Sequence, residues 1–232
     1  MQENAVTPIE TPIETPIETP IETPIETPIE TPKLTTDERD VVELYKILTL
    51  TSKELNSQLG VGPLRTIANK VTIFDEDVAI RLDRMKNTMY AYGGYGVAAV
   101  QVGLNMSMFV MDVSDNFTDA REFINPSFVD TSGEIISIEG CLSFHGWSEK
   151  VNRFDSVTLK YQTRTGEEKT ETFTGKAACC VQHEMDHLIG TLFIDRLSNL
   201  KKDIFRRWFK KTGPQYLIPR KVKNVRYQLV NP

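Results

Sequence analysis

Cysteine, histidine and tryptophan are all scarce in this 232-residue chain, which has three cysteines, three histidines and two tryptophans. The cysteine count is odd and Cys179-Cys180 are adjacent, which argues against a disulfide framework and for a reducing compartment, the cytoplasm. No apolar run approaches the ~20 residues that a membrane-spanning helix needs. The N-terminus lacks the basic, apolar pattern of a secretion signal and is too acidic for an organelle transit peptide. Lysine and arginine are missing altogether from residues 1–32, which hold seven glutamates. With 40% hydrophobic and 25% charged residues overall, the composition is that of a soluble globular protein of one or two domains.

The few histidines are concentrated. Two of them fall in His183-Glu184-Met185-Asp186-His187, the pattern H-E-x-x-H. The lead-in from Gly175 contains no helix breaker, and Gly190 is a natural stop. On a helix, side chains four residues apart share a face, so His183 and His187 are placed to share a metal ion. Glu184 then sits beside the metal, positioned to exchange a proton with water rather than to ligate.

Charge and repeats divide the chain. Six copies of Thr-Pro-Ile-Glu run from Thr7 to Glu30. A proline every fourth residue excludes helix and central strand, and one isoleucine per repeat cannot offset the entropy of ordering. Residues 1–32 therefore read as an extended acidic tail. Residues 196–226 carry eleven basic residues against one acid, Asp203, so an acidic body ends in a basic segment.

Between these ends the patterning alternates between helix and strand. Thr35 to Glu38 has capping-box spacing, and Val41, Leu44, Tyr45 and Leu48 predict a helix over 36–50. Thr51 to Gly60 predicts a second short helix. Asp75 caps a third, with Val78, Leu82, Met85 and Met89 as its core stripe, ending at Gly93-Gly94. Ser107 to Val113 reads as β-rich, Asn125-Pro126 as a turn, and Gly133 to Ile138 as a strand. Val157 to Tyr161 and Lys169 to Thr174 form a hairpin around Thr165-Gly166. After the H-E-x-x-H helix comes a basic helix over 198–211, its buried stripe read as Leu197, Leu200, Ile204 and Trp208. A strand-like run, Val225 to Val230, closes the chain. Strands grouped between helices without strict alternation indicate an α+β fold.

A third metal ligand is still needed. Cys141, after a strand and a glycine, would complete a thiolate–imidazole–imidazole set with one position open. Cys179 and Cys180 compete for the role, although three ligands on one short helix would make poor tetrahedral geometry.

Three segments together resemble the peptide deformylases: Gly94-Tyr95-Gly96-Val97-Ala98-Ala99-Val100-Gln101, Glu139-Gly140-Cys141-Leu142-Ser143 and Gln182-His183-Glu184-Met185-Asp186-His187. They stand in family order, and the resemblance covers roughly residues 61–211. It implies antiparallel strands packed around a central metal-binding H-E-x-x-H helix with flanking helices. It also implies removal of the formyl group from the initiator formylmethionine of nascent polypeptides. Carried over by position, Cys141, His183 and His187 bind one divalent ion. That ion is Fe(II) in the family, with zinc, nickel or cobalt able to substitute; ligand type alone would favour zinc.

Further roles follow from the same resemblance. Glu184 would be general base and acid, while the Leu142 N–H and the Gln101 side-chain amide would stabilise the oxyanion. Tyr95, Gly96, Gly140, Cys179 and Cys180 would line the substrate pocket. Tyr95 is bulkier than the aliphatic residue common there. His145 stands where members often have proline, and it reads as a solvated loop residue or a group beside the metal. The organisation expected is a tail (1–32), a helical lead-in (33–60), a catalytic unit (61–212) and a C-terminal extension (213–232). The partners expected are formylated nascent chains and, through the basic helix, the large ribosomal subunit; neither membrane nor DNA is implied. Rival readings are an H-E-x-x-H metallopeptidase and an inactive ribosome-associated binding protein.

Overall fold

The computed structural model describes residues 41–51, 55, 62–214, 217–220 and 226–232. The tail and the Thr35–Glu38 capping box lie outside these residues. So does the expected helix over 51–60, apart from Thr51, which is not helical, and Leu55, which is.

In chain order the main elements are strand β1 (Val41–Tyr45), helix α1 (Glu76–Tyr92), β2 (Gly96–Ala98), β3 (Met108–Met111) and β4 (Arg121–Ser132). There follow β5 (Ile135–Gly140), β6 (Ser148–Arg153), β7 (Ser156–Gln162), β8 (Glu168–Thr174), α2 (Gly175–Leu188), α3 (Asn199–Thr212) and β9 (Arg226–Val230). Five strands make an antiparallel sheet in the order β2-β3-β4-β7-β8, and β5-β6 form a separate hairpin. The architecture is α+β.

Two apolar layers hold the helices. α1 begins at Asp75, whose carboxylate accepts from the Val78 N–H at 3.1 Å, and ends where Gly93 turns left-handed at φ 72°. Its stripe Val78, Leu82, Met85 and Met89 is buried with Val97, Val110 and Ile124. α2 lays Ala178, Val181, Met185 and Leu188 on Phe109, Phe123, Leu159 and Phe173. These positions repeat at three and four residues, so burying them fixes the rotation of α2 and turns its histidines toward β5.

Three sequence expectations are corrected. Residues 41–45 form a strand, not part of a helix: β1 pairs in parallel with β9, Val41 opposite Arg226 through Tyr45 opposite Val230. Leu44 and Tyr45 are fully buried against α1, and the Tyr45 N–H bonds the Thr88 hydroxyl at 2.9 Å. The helical spacing of these apolar residues is real, but a partner about 180 residues away decides their conformation. Val42, Leu44, Tyr45 and Ile47 of the lead-in are thus part of the same core as α1.

Asn125-Pro126 is not a turn, because β4 runs through it with a register shift between Ile124 and Ser127. Proline cannot complete a ladder, and the irregularity absorbs it. Asn125, at φ 50°, spends its side chain on both backbone groups of Val71, at 2.7 and 2.8 Å. Of the stripe expected for α3, Leu197 is buried and Trp208 packs partly buried on the same cluster as Phe205 and Phe209, whereas Leu200 and Ile204 are exposed. Ser198 caps the helix, and the face that meets Phe144 and Phe193 is the one carrying Phe205 and Phe209.

Candidate metal and active site

His183 and His187 stand one turn apart on α2 with ring centroids 5.0 Å apart. Cys141 follows the last residue of β5 and opens the short 3-10 turn Leu142–Phe144. One donor atom from each of Cys141, His183 and His187 lies within 4.8 Å of the others. The Cys141 sulfur is 3.3 Å from His187 Nε2. Neither Cys179 nor Cys180 belongs to this group.

The surroundings select one nitrogen of His183. Its Nδ1 lies 3.0 Å from a Glu139 carboxylate oxygen, leaving Nε2 for another partner. Glu139 is itself gripped by Arg153, with donor–acceptor distances of 2.6 and 2.8 Å. Arg153 also donates to Asp186 at 2.7 Å, and Arg196 donates to the same carboxylate. Burial alone would raise the Glu139 carboxyl, but hydrogen bonds from Arg153 and His183 hold it at about 2.

A thiolate and two imidazoles converging without a carboxylate fit a divalent transition ion. His187 is almost fully buried and turns Nε2 toward the Cys141 sulfur.

Glu184 lies beside the donors with only 3% of its surface exposed, and one carboxylate oxygen is buried without a partner. Burial pushes its carboxyl up to about 7. The approach of β2 to this side chain requires glycine: a Cβ on Gly96 would stand 2.4 Å from a Glu184 oxygen. Gln101 is aimed by its own carbonyl, which accepts from the Ala98 N–H at 2.8 Å. Its NH2 group then reaches the Cys141 sulfur at 3.4 Å and the Ser143 hydroxyl at 3.3 Å.

A cavity of about 720 Å³ opens onto this group. Gly96, Gln101, Gly140, Cys141, Leu142, His183 and Glu184 line it, as do Tyr95, Cys179 and Cys180. His145 is exposed at its edge, in keeping with a solvated loop residue.

Residues 56–203 match the family model for polypeptide deformylase. The chain belongs to the peptide deformylase family. It is 41% identical over 152 residues to the peptide deformylase of Helicobacter pylori strain Shi470, covering 63% of this chain and 87% of that one. It is 40% identical over 152 residues to that of Chromobacterium violaceum, covering 66% and 91%. Among solved structures, a peptide deformylase from Legionella pneumophila superposes with a TM-score of 0.64 at 36% identity, over 72% of this chain and 94% of that one.

Sequence reading missed the ionic frame of this peptide deformylase site: Glu139, Arg153, Asp186 and Arg196. Glu139 and Asp186 sit inside the quoted motifs, but their partner Arg153 comes from β6, where one arginine in a polar strand gives no signal. Breaking the frame has a predictable cost. Glu139→Gln leaves the Arg153 charge buried with half its partners and is expected to lower stability by about 3–5 kcal/mol at pH 7. The Glu139 carboxyl falls from an ordinary 4.5 to about 2 in the fold, so its contribution is complete above pH 4.5 and fades toward pH 2. Melting curves should therefore show the gap to wild type closing over that range, and a constant gap would refute the assignment.

Proposed function

We propose that this chain hydrolyses the formamide of N-terminal formylmethionine on nascent polypeptides, releasing formate and a free amine. The observation that carries this reading is the convergence of Cys141, His183 and His187 beside a buried Glu184 carboxylate with one unpartnered oxygen. In the proposal these three side chains hold one divalent ion, Fe(II) by family resemblance, with zinc, nickel or cobalt as substitutes. When bound, such an ion supplies Lewis acidity that makes water a competent nucleophile near neutral pH.

The protein's part is proton transfer and charge stabilisation. Glu184 takes a proton from the attacking water and returns it to the leaving amine, so that formate and the peptide amine are the only products. Burial, with one oxygen left unpartnered, keeps this carboxyl ready to exchange a proton. The Gln101 NH2, held by Ala98, and the Leu142 N–H, at the start of a turn where N–H groups have no internal acceptor, stabilise the developing oxyanion. Water and formamide thus meet between a base and two donors.

Cys179 and Cys180 form the part of the wall that receives the methionine side chain, where small polarisable groups suit an unbranched thioether. Cys179→Leu is expected to raise KM for formyl-Met peptides with only a minor change in melting temperature; a lowered melting point with unchanged kinetics would make Cys179 a packing residue alone.

The rival metallopeptidase reading places no demand on a formyl group. Incubating metal-loaded protein with formyl-Met-Ala-Ser and with its unformylated twin separates the two. Formate from the first peptide, with no internal cleavage of either, supports deformylation. Cleavage of internal bonds in both would replace it.

The place of action proposed is the cytoplasm, at the ribosome. α3 presents Arg206, Arg207, Lys210 and Lys211 to solvent, and among the described residues no helix is long and apolar enough to cross a membrane. Contacts of this kind with rRNA phosphates are salt-dependent. Co-sedimentation with large ribosomal subunits is therefore expected at low salt, lost at high salt and abolished when these four residues are reversed to glutamate. Binding that survives both would remove α3 from the account.

A further inference from the structure

The cavity mouth carries a cation that the deformylation chemistry leaves unused. Lys176 projects from the first turn of α2, its Nζ 3.8 Å from the centroid of the Tyr95 ring. That ring stacks on Phe117, with centroids 5.5 Å apart and planes 18° from parallel. Phe117 in turn meets Tyr90 edge-on at 6.2 Å, and the Tyr90 hydroxyl donates to Asp112 at 2.7 Å. Asp112 also accepts from the Ser114 and Asp119 N–H groups, which pins the loop bearing Phe117. The result is an ammonium held over a braced aromatic ring rather than one swinging freely in solvent.

Its charge is poorly compensated by the protein. Lys176 is in none of the ion pairs among the described residues, and no acidic residue lies in the first turn of α2. The helix dipole opposes a cation at that end. Of the carboxylates lining the cavity, Glu139 is tied to Arg153 and Glu184 is buried beside the metal donors, while Lys176 is exposed. Tyr95 and Lys176 both line the cavity, which puts the ammonium within reach of a peptide bound there.

We infer that Lys176, set by Tyr95, is a specificity determinant favouring substrates with a carboxylate side chain in the two residues after formylmethionine. The inference rests on the deformylase reading above. It deepens that reading by naming a substrate class.

The test uses metal-loaded full-length protein and C-terminally amidated peptides, so that only side chains carry charge. Formyl-Met-Glu-Ala and formyl-Met-Ala-Glu are compared with their Gln counterparts. For at least one position, kcat/KM should favour Glu about three- to fivefold, the scale of an exposed ion pair, through KM rather than kcat, and less so as salt rises. The Glu-to-Gln ratio should fall to near one in Lys176→Met and invert in Lys176→Glu. Tyr95→Leu, which keeps the ammonium but removes its platform, should give an intermediate ratio. Ratios near one in the wild type at both positions, or a preference that survives Lys176→Met, would overturn the inference while leaving deformylation intact. No formate from any peptide would instead sink the deformylase reading, and this inference with it.

Discussion

Replacing Glu184 by Gln is expected to lower kcat about 10²–10⁴-fold, the usual contribution of a positioned acid/base, with metal content unchanged. The substitution keeps the shape of a side chain that fits against Gly96, so no cavity or clash arises. Stability should respond in the opposite sense to activity. In the fold the Glu184 carboxyl sits at about 7 against an ordinary 4.5, so native protein binds this proton more tightly than unfolded chain does. The carboxylate therefore costs stability as pH rises from 4.5 to about 7, a cost the amide does not carry. Metal-stripped Glu184→Gln at pH 8 should melt at or above wild type. Near-wild-type turnover would remove Glu184 from the chemistry, whereas lost turnover with a collapsed melting point would point to packing.

Cys141→Ala should act on the other half of the site. It removes one of three donors that lie within 4.8 Å of one another and leaves two imidazoles, a set too poor to retain a divalent ion through dialysis. Metal analysis should fall from one ion per chain to a small fraction, and formate release should fall to background. Because Cys141 lies at the edge of the apolar cluster around Phe144 and Phe193 and is only partly buried, the fold should persist, as a far-ultraviolet spectrum would show. Full metal occupancy in this variant would transfer the role to another group.

The parts of the site that were legible in the sequence are those set by local geometry. His183 and His187 needed only the pitch of a helix to meet, and Glu184 followed by adjacency. Cys141 is 42 residues upstream of His183; residue chemistry named it as one candidate among three cysteines, and motif order selected it. The Arg153 frame was hidden, because pairing Gly140 with Ser148 and Glu139 with Glu149 is what carries Arg153 back to the helix. β1 was hidden for the same reason: its partner β9 is at the other end of the chain. Its apolar spacing fits a helix equally well when no partner is in view. The extent of α3 was legible to within one residue, but its buried face was not. That face depends on the cluster around Phe144 and Phe193 that it meets, which leaves Leu200 and Ile204 in solvent and Phe205 and Phe209 in the core.

The most direct test of the central assignment is formate release from formyl-Met-Ala-Ser by metal-stripped wild-type protein titrated anaerobically with Fe(II). The assignment of a single catalytic ion held by Cys141, His183 and His187 predicts a linear rise in activity that breaks at one equivalent per chain. Turnover without added metal, or a formyl peptide left intact beyond one equivalent, would contradict it.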